Sequence, residues 1–383
     1  MMFMVRNKLA SLLIKTRLIP FIRFLRNLRF YYLSNHPRQI SWAITGLCNS
    51  RCIFCEAHEQ LSSHKDVSTE RVFSLVDEIS NLGINSLLLV GGEVFIRKDI
   101  FKILEYTKAK GLRVQVITNS LVIPNLSNEK VEIIKRSVDE ISFSLDSTDA
   151  EQYDLIRGIP GAFSKVMKSI KLLTDSRIKQ HITAVVYSGN MEQIPRLIMA
   201  ASELGINSVH FQLISPATIF ENTKVKEGKL QLLPKDEKEL GFLDRYIFEG
   251  IDISKKYQVK TNLKFLKLYA RAYFRNYLET GNGKEFFMDS LVKHHRCLSV
   301  FTNNFIDYDG SFKLCPLLPA LGNVKEESLQ GLLSKGGKFK GVFRKGKIPL
   351  KFCKNCFCNA DINLEFSGFL SPFQNRRLLW HML

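Results

Sequence analysis

The sequence predicts an α/β fold, a partial (β/α)6 TIM-like barrel followed by a small Cys-rich α+β domain. Three observations carry this expectation. Between residues 41 and 215, six strand-like runs alternate with segments of helical period. The string Leu-Gly-Ile-Asn-Ser recurs at 82–86 and 204–208, each time where a helical segment passes into a strand. Beyond residue 296 the alternation stops, and short extended runs and Cys take over. Six β-α steps with right-handed crossovers curl a parallel sheet only part of the way round, because a closed barrel takes eight.

In chain order, residues 1–40 are a basic arm. The first 55 residues hold nine Lys and Arg and no Asp or Glu, within a net charge of +18. A helix broken at Pro20 is expected there. Phe21, Phe24, Leu25, Leu28, Tyr31 and Tyr32 share one face, and Arg23, Arg26 and Arg29 the other. That pattern suits the surface of an anionic membrane, so peripheral contact on its inner face through residues 1–40 is one reading, and packing of the arm on the barrel is the other. Nucleic acid is disfavoured as a partner, because no nucleic-acid module is present. Charges interrupt every apolar run well short of the ~20 residues of a membrane span. The longest run, 9–14, is also too short for a signal-peptide core.

The barrel core is expected over 41–221, with strands at 41–45, 86–90, 113–118, 140–146, 181–187 and 208–214. The helices between them show their caps. Val72, Phe73, Leu75, Val76, Ile79 and Leu82 repeat at helical spacing, with Ser68 as N-cap and Gly83 past the end; Gly111 and Gly205 sit likewise. A mostly helical connection follows over 222–296, with an extended piece at 257–262. From 297 to 360 lies the Cys-rich domain, where runs at 304–308 and 312–314 flank Asp309-Gly310, a hairpin signal. Residues 361–383 are a tail with Arg376, Arg377 and Trp380.

The chemistry-bearing residues fall after the barrel strands, where such folds place their active sites. Cys48, Cys52 and Cys55 follow the first strand, spaced Cys-x3-Cys-x2-Cys. Three thiolates on one tight loop can take three irons of a cubane [4Fe–4S] cluster and leave the fourth iron open. A zinc site is the alternative. Gly91-Gly92-Glu93 follows the second strand, Thr118-Asn119 the third, and Ser144 and Asp146 end the fourth. Six of the eight Cys fall in close clusters without a secretory signal, which points to metal ligation in a reducing cytoplasm.

Over residues 41–215 the chain resembles the radical SAM superfamily. The three-cysteine loop, with Phe54 before its last Cys, and Gly91-Gly92-Glu93 carry the resemblance. It implies a [4Fe–4S] cluster whose open iron binds S-adenosylmethionine (SAM). One-electron cleavage then yields a 5′-deoxyadenosyl radical that abstracts hydrogen from substrate. It further implies that Gly91 and Gly92 admit the methionine amine, with Glu93 as countercharge. Asn119, Ser144, Asp146 and Arg157 match the remaining SAM contacts. An electron donor such as flavodoxin or ferredoxin is implied as partner. Val94 stands where Pro is usual, Ser120 where Gly is usual and Ser147 where Gly is frequent.

Cys297, Cys315, Cys353 and Cys356, with Asp309-Gly-Ser-Phe-Lys-Leu-Cys315, resemble the SPASM and twitch domains that follow many radical SAM cores. Here the resemblance implies a second, auxiliary [4Fe–4S] cluster of twitch type, closed by four thiolates and suited to accepting an electron. A structural zinc ribbon is the alternative. Cys358 is left over. It reads either as a plain buried Cys or, by resemblance to some radical SAM epimerases, as a catalytic hydrogen donor. The expected function is therefore oxidation or epimerisation of a small, sugar-like or lipid-linked substrate. The alternatives are a peptide- or RNA-modifying radical SAM enzyme and a non-catalytic, membrane-docked metal-binding protein. Residues 1–40 are shorter than the leader-binding domain of many peptide-modifying relatives, which lowers the peptide reading.

Overall fold

A computed structural model describes residues 36–55, 66–214, 232–280 and 299–344. The arm before residue 36, the tail, and Cys297, Cys353, Cys356 and Cys358 lie outside the described residues.

The six steps run β1 (Gln39–Thr45), α1 (Thr69–Asn81), β2 (Ser86–Gly91), α2 (Ile100–Ala109), β3 (Arg113–Thr118), α3 (Asn128–Ser137) and β4 (Glu140–Ser144). Two helices, α4 (Ala150–Arg157) and α5 (Ala162–Leu173), then lead to β5 (Lys179–Val186), and α6 (Gln193–Glu203) to β6 (Ser208–Leu213). Beyond them come α7 (Glu237–Lys256), β7 (Lys260–Thr261), α8 (Leu263–Thr280), α9 (Ser299–Thr302), β8 (Asn303–Ile306), β9 (Ser311–Lys313), β10 (Gly322–Asn323) and α10 (Leu329–Arg344). The molecule is a partial (β/α)6 barrel followed by a small α+β region. Its strands form one sheet in the order β10-β9-β8-β1-β2-β3-β4-β5-β6-β7.

Local chemistry explains the elements. In α1 the Ser68 hydroxyl accepts from Arg71 N–H, and Val72, Leu75, Val76 and Ile79 bury one stripe. Gly83 then takes φ +70°, the left-handed turn that ends the helix. The strands alternate. Val114, Val116, Ile141 and Phe143 are buried toward the helices. Their neighbours face the concave side, where the Ser142 and Thr183 hydroxyls hydrogen-bond at 2.6 Å.

The C-terminal region joins the barrel rather than standing apart. Strand β8 pairs parallel with β1, Gln39 opposite Asn303 and Trp42 opposite Ile306. The expected hairpin is β8–β9, with Gly310 at φ +90° in its turn. On the outside, Arg71 of α1 donates to the carbonyls of Val324 (2.6 Å) and Glu327 (2.9 Å). Glu78 of α1 accepts from the Leu329 N–H at the start of α10 (2.5 Å). At the other edge, Asn262 accepts from Phe211 N–H and donates to its carbonyl, extending the pairing of β6 by a side chain. No helix among the described residues is long and apolar enough to cross a membrane.

Candidate active site

The three-cysteine loop leaves the C-terminal end of β1 and lies over the ends of β2, β3 and β4. Its base is held by backbone. Gly92 N–H donates to the Thr45 carbonyl (2.9 Å), and Glu93 N–H to that of Leu47 (2.7 Å). The two glycines are required for that approach. A Cβ on Gly92 would collide with the Leu47 carbonyl, and Gly91, at φ +135°, leaves no room beside Thr45.

Glu93 sits beneath. It is buried, and its carboxylate accepts from Phe95 N–H (3.1 Å), Thr118 hydroxyl (2.6 Å) and Asn119 N–H (2.7 Å). Burial pushes its pKa up, and those donors oppose the shift. The carboxylate thus ties the end of β2 to the end of β3. Asn119 in turn donates to the side chains of Asn49 (2.8 Å) and Ser50 (3.0 Å), steering the loop beside Cys48. Ser120, where the resemblance led to Gly, adopts the same left-handed conformation at φ +59°.

The far side of the loop rests on α4. Arg51 N–H donates to the Arg157 carbonyl and Ile53 N–H to that of Ile156, both at 3.0 Å. The Arg157 guanidinium is buried, ion-paired with Asp146 and directed at Cys52 Sγ (3.5 Å). Asp146 also accepts from Val185 N–H (2.9 Å), and Ser144 lies at the end of β4, its carbonyl taking the Tyr153 hydroxyl (2.7 Å). Burial works against the Arg157 cation, but Asp146 together with Tyr153 and Cys52 outweighs it and holds Arg157 firmly protonated. Its Nε is buried without a partner, an unfilled donor beside the loop.

The structure therefore brings together Cys48, Cys52, Cys55, Gly91, Gly92, Glu93, Asn119, Ser144, Asp146 and Arg157. Cys315 is buried after β9. Burial raises the thiol pKa of Cys48 to about 11 and also raises that of Cys52. Local donors answer this: Ser50 N–H points at Cys48 Sγ (3.4 Å), and Arg157 at that of Cys52. Among the described residues, no three His, Cys, Asp or Glu converge on one metal-ion position. A cubane makes no such demand, since each thiolate takes a different iron, so the thiols and their N–H···S donors fit an iron–sulfur cluster.

Sequence reading missed Arg97. Its guanidinium is buried, donating to the carbonyls of Ile44 (2.6 Å) and Val67 (2.8 Å) and pairing with Asp99 (2.8 Å). It staples the outgoing end of the cysteine loop to its return. Asp66, accepting from Gly46 N–H (3.1 Å), is a second rung. The one local hint was Asp99 two residues on; an arginine in a loop otherwise reads as solvated.

Comparison with known proteins agrees with this geometry. The profile of the radical SAM superfamily matches residues 42–212, and that of an iron–sulfur cluster-binding (SPASM) domain residues 297–357. An AdoMet-dependent heme synthase of Methanosarcina barkeri is 28% identical over 334 residues, covering 85% of this chain and 88% of that protein. A PqqA peptide cyclase of Granulibacter bethesdensis is 26% identical over 170 residues, 44% of this chain and 45% of that one. Streptococcus suis SuiB, solved with S-adenosylmethionine, superposes with a TM-score of 0.58 at 18% identity, over 88% of this chain and 71% of SuiB.

Proposed function

The chain belongs to the radical SAM superfamily, and on that premise we propose that it oxidises a carbon centre of a small amphipathic substrate. It is a radical SAM enzyme with a [4Fe–4S] cluster, S-adenosylmethionine and auxiliary iron–sulfur as cofactors. When bound, the first cluster and SAM supply hydrogen-atom abstraction, and the second cluster an electron acceptor. That acceptor favours oxidation over epimerisation.

The observation that carries the site assignment is the double grip on the cysteine loop, Asn119 on one side and the end of α4 on the other. Cys48, Cys52 and Cys55 hold the catalytic cluster. Asn119, Ser144, Asp146 and Arg157 line the SAM position, Gly91 and Gly92 admit the loop, and Glu93 braces Asn119 from behind. Cys297, Cys315, Cys353 and Cys356 take the second cluster.

Two observations support the substrate class. On the concave face Ala43 stands beside Val90, and Ile117 beside Ser142 and His181, with Thr183 and His210 one row on. A substrate with one apolar and one polar face suits that wall. The heme synthase, matched over nearly its whole length, is named for a small-molecule product, whereas the peptide cyclase covers less than half of this chain. This narrows the sugar-like or lipid-linked expectation.

The test is iron, sulfide and zinc per chain after anaerobic reconstitution. About eight irons should fall to about four in Cys48/Cys52/Cys55→Ala. Cys52→Ala should abolish 5′-deoxyadenosine formation under strong reductant, and survival of that activity would sink the assignment. Zinc in place of the second four irons would remove the electron acceptor and with it the case for oxidation.

A further inference from the structure

Helix α4 meets the cysteine loop at one place. The N–H groups of the residues before and after Cys52, Arg51 and Ile53, hang from the helix's last two carbonyls, those of Arg157 and Ile156. The approach is close: a Cβ on Gly158, at φ +64°, would lie 2.5 Å from the Arg51 carbonyl oxygen. The guanidinium of Arg157 then returns over the loop. It lies 5.9 Å from the Phe54 ring centroid and 5.4 Å from that of Tyr153, with Nη1 3.5 Å from Cys52 Sγ and Nη2 on Asp146. Arg157 is 6% exposed, Asp146 0% and Cys52 9%, so little water screens the three.

We propose that Arg157 is a positioning residue that sets the reduction potential of the catalytic cluster through Cys52, with Asp146 as the opposing charge. The inference rests on Cys48, Cys52 and Cys55 being the ligands. Reducing a cluster adds negative charge that spreads onto its thiolates, and hydrogen bonds and charges at the sulfurs tune that step. A buried cation on one sulfur eases the reduction, and a buried carboxylate behind the cation restrains it. The two substitutions must therefore act in opposite directions. A residue that only bound the SAM carboxylate, or only packed, would produce no such opposition without SAM.

The experiment is a reductive titration of the full chain, anaerobically reconstituted and free of SAM, followed by EPR. The catalytic cluster is identified as the signal missing from Cys52→Ala. Arg157→Gln should make that cluster about tenfold harder to reduce, a drop of about 59 mV for one electron. Asp146→Asn should shift it upward, and Arg157→Lys should fall between Arg157→Gln and wild type. A potential in Arg157→Gln equal to wild type, or shifts of the same sign in both variants, would overturn the inference. If Arg157→Gln takes up no iron, Asp146→Asn decides, and a potential at or below wild type overturns it. Persistence of the signal in Cys52→Ala would instead overturn the ligand assignment itself.

Discussion

Ser120 shows how a residue can break a local rule and keep the local shape. It holds a left-handed φ of +59°, is fully buried, and its hydroxyl has no partner. Its carbonyl accepts from Ser169 (2.7 Å), which anchors the turn after Asn119. A side chain in this conformation costs about 1 kcal/mol, and a buried unpaired hydroxyl adds to that. Ser120→Gly should therefore raise stability by about 1 kcal/mol, read from the urea midpoint; a lower midpoint contradicts it. His181, on the concave face, carries the opposite liability. Burial lowers its pKa below the ordinary 6.5, against the pull of Glu140. Below that range the unfolded chain binds a proton the folded chain declines, so the contribution is present above pH 6.5 and lost as pH falls. The urea midpoint should drop between about pH 8 and about pH 5.5, and His181→Gln should flatten part of that slope.

At the scale of elements, the glycines divide by what they touch. Gly83 and Gly92 both look like turn residues in sequence. Gly83 has φ +70° and open space around it, so Gly83→Ala should cost only the left-handed backbone, about 1–2 kcal/mol, with iron uptake unchanged. Gly92 is where strand β2 bears the cysteine loop, and Gly92→Ala must push the Leu47 carbonyl away. Iron content and 5′-deoxyadenosine formation should then fall together, out of proportion to any change in melting temperature. Equal iron uptake by the two variants would place the loop elsewhere. The helices and strands were legible because each advertises its period and caps: Ser68 at one end of α1, Gly83 past the other, alternation along β3. The roles of Arg97 and Asp66 were not, because a staple between Ile44 and Val67 exists only once the loop has closed.

On the whole molecule, the end of the barrel opposite the cysteine loop carries a cluster of cations. The N-terminal ends of β1–β5 open on a cavity of about 1050 Å³ lined by Arg38, Arg113, Arg136, Arg177 and Lys179 among its cations. Several are already paired, Arg113 with Glu140 and Arg136 with Glu105, so the surplus is modest. Arg38 stands on this rim, so the basic arm joins the barrel at the same end. Membrane contact by that arm predicts that the full chain sediments with anionic but not zwitterionic vesicles and is released by salt. Arg136→Glu with Arg177→Glu should weaken binding severalfold. Failure to bind anionic vesicles at low salt removes the membrane reading, and leaves the site at the other end untouched.

By itself the sequence determined the barrel class, the order of its strands along the chain and the placing of three thiols at a spacing that suits a cluster. Those follow from short-range rules: periodicity, caps, and the valence and spacing of thiols. Only the tertiary structure decided that β8 pairs with β1, so that the Cys-rich region extends the barrel sheet. It alone decided that Glu93 faces inward to protein donors and that Arg157 addresses Cys52. Each of these joins residues far apart in sequence, and their partnership is selected by burial. A carboxylate or guanidinium removed from water must find its hydrogen bonds wherever the fold supplies them, and no local pattern records where that is.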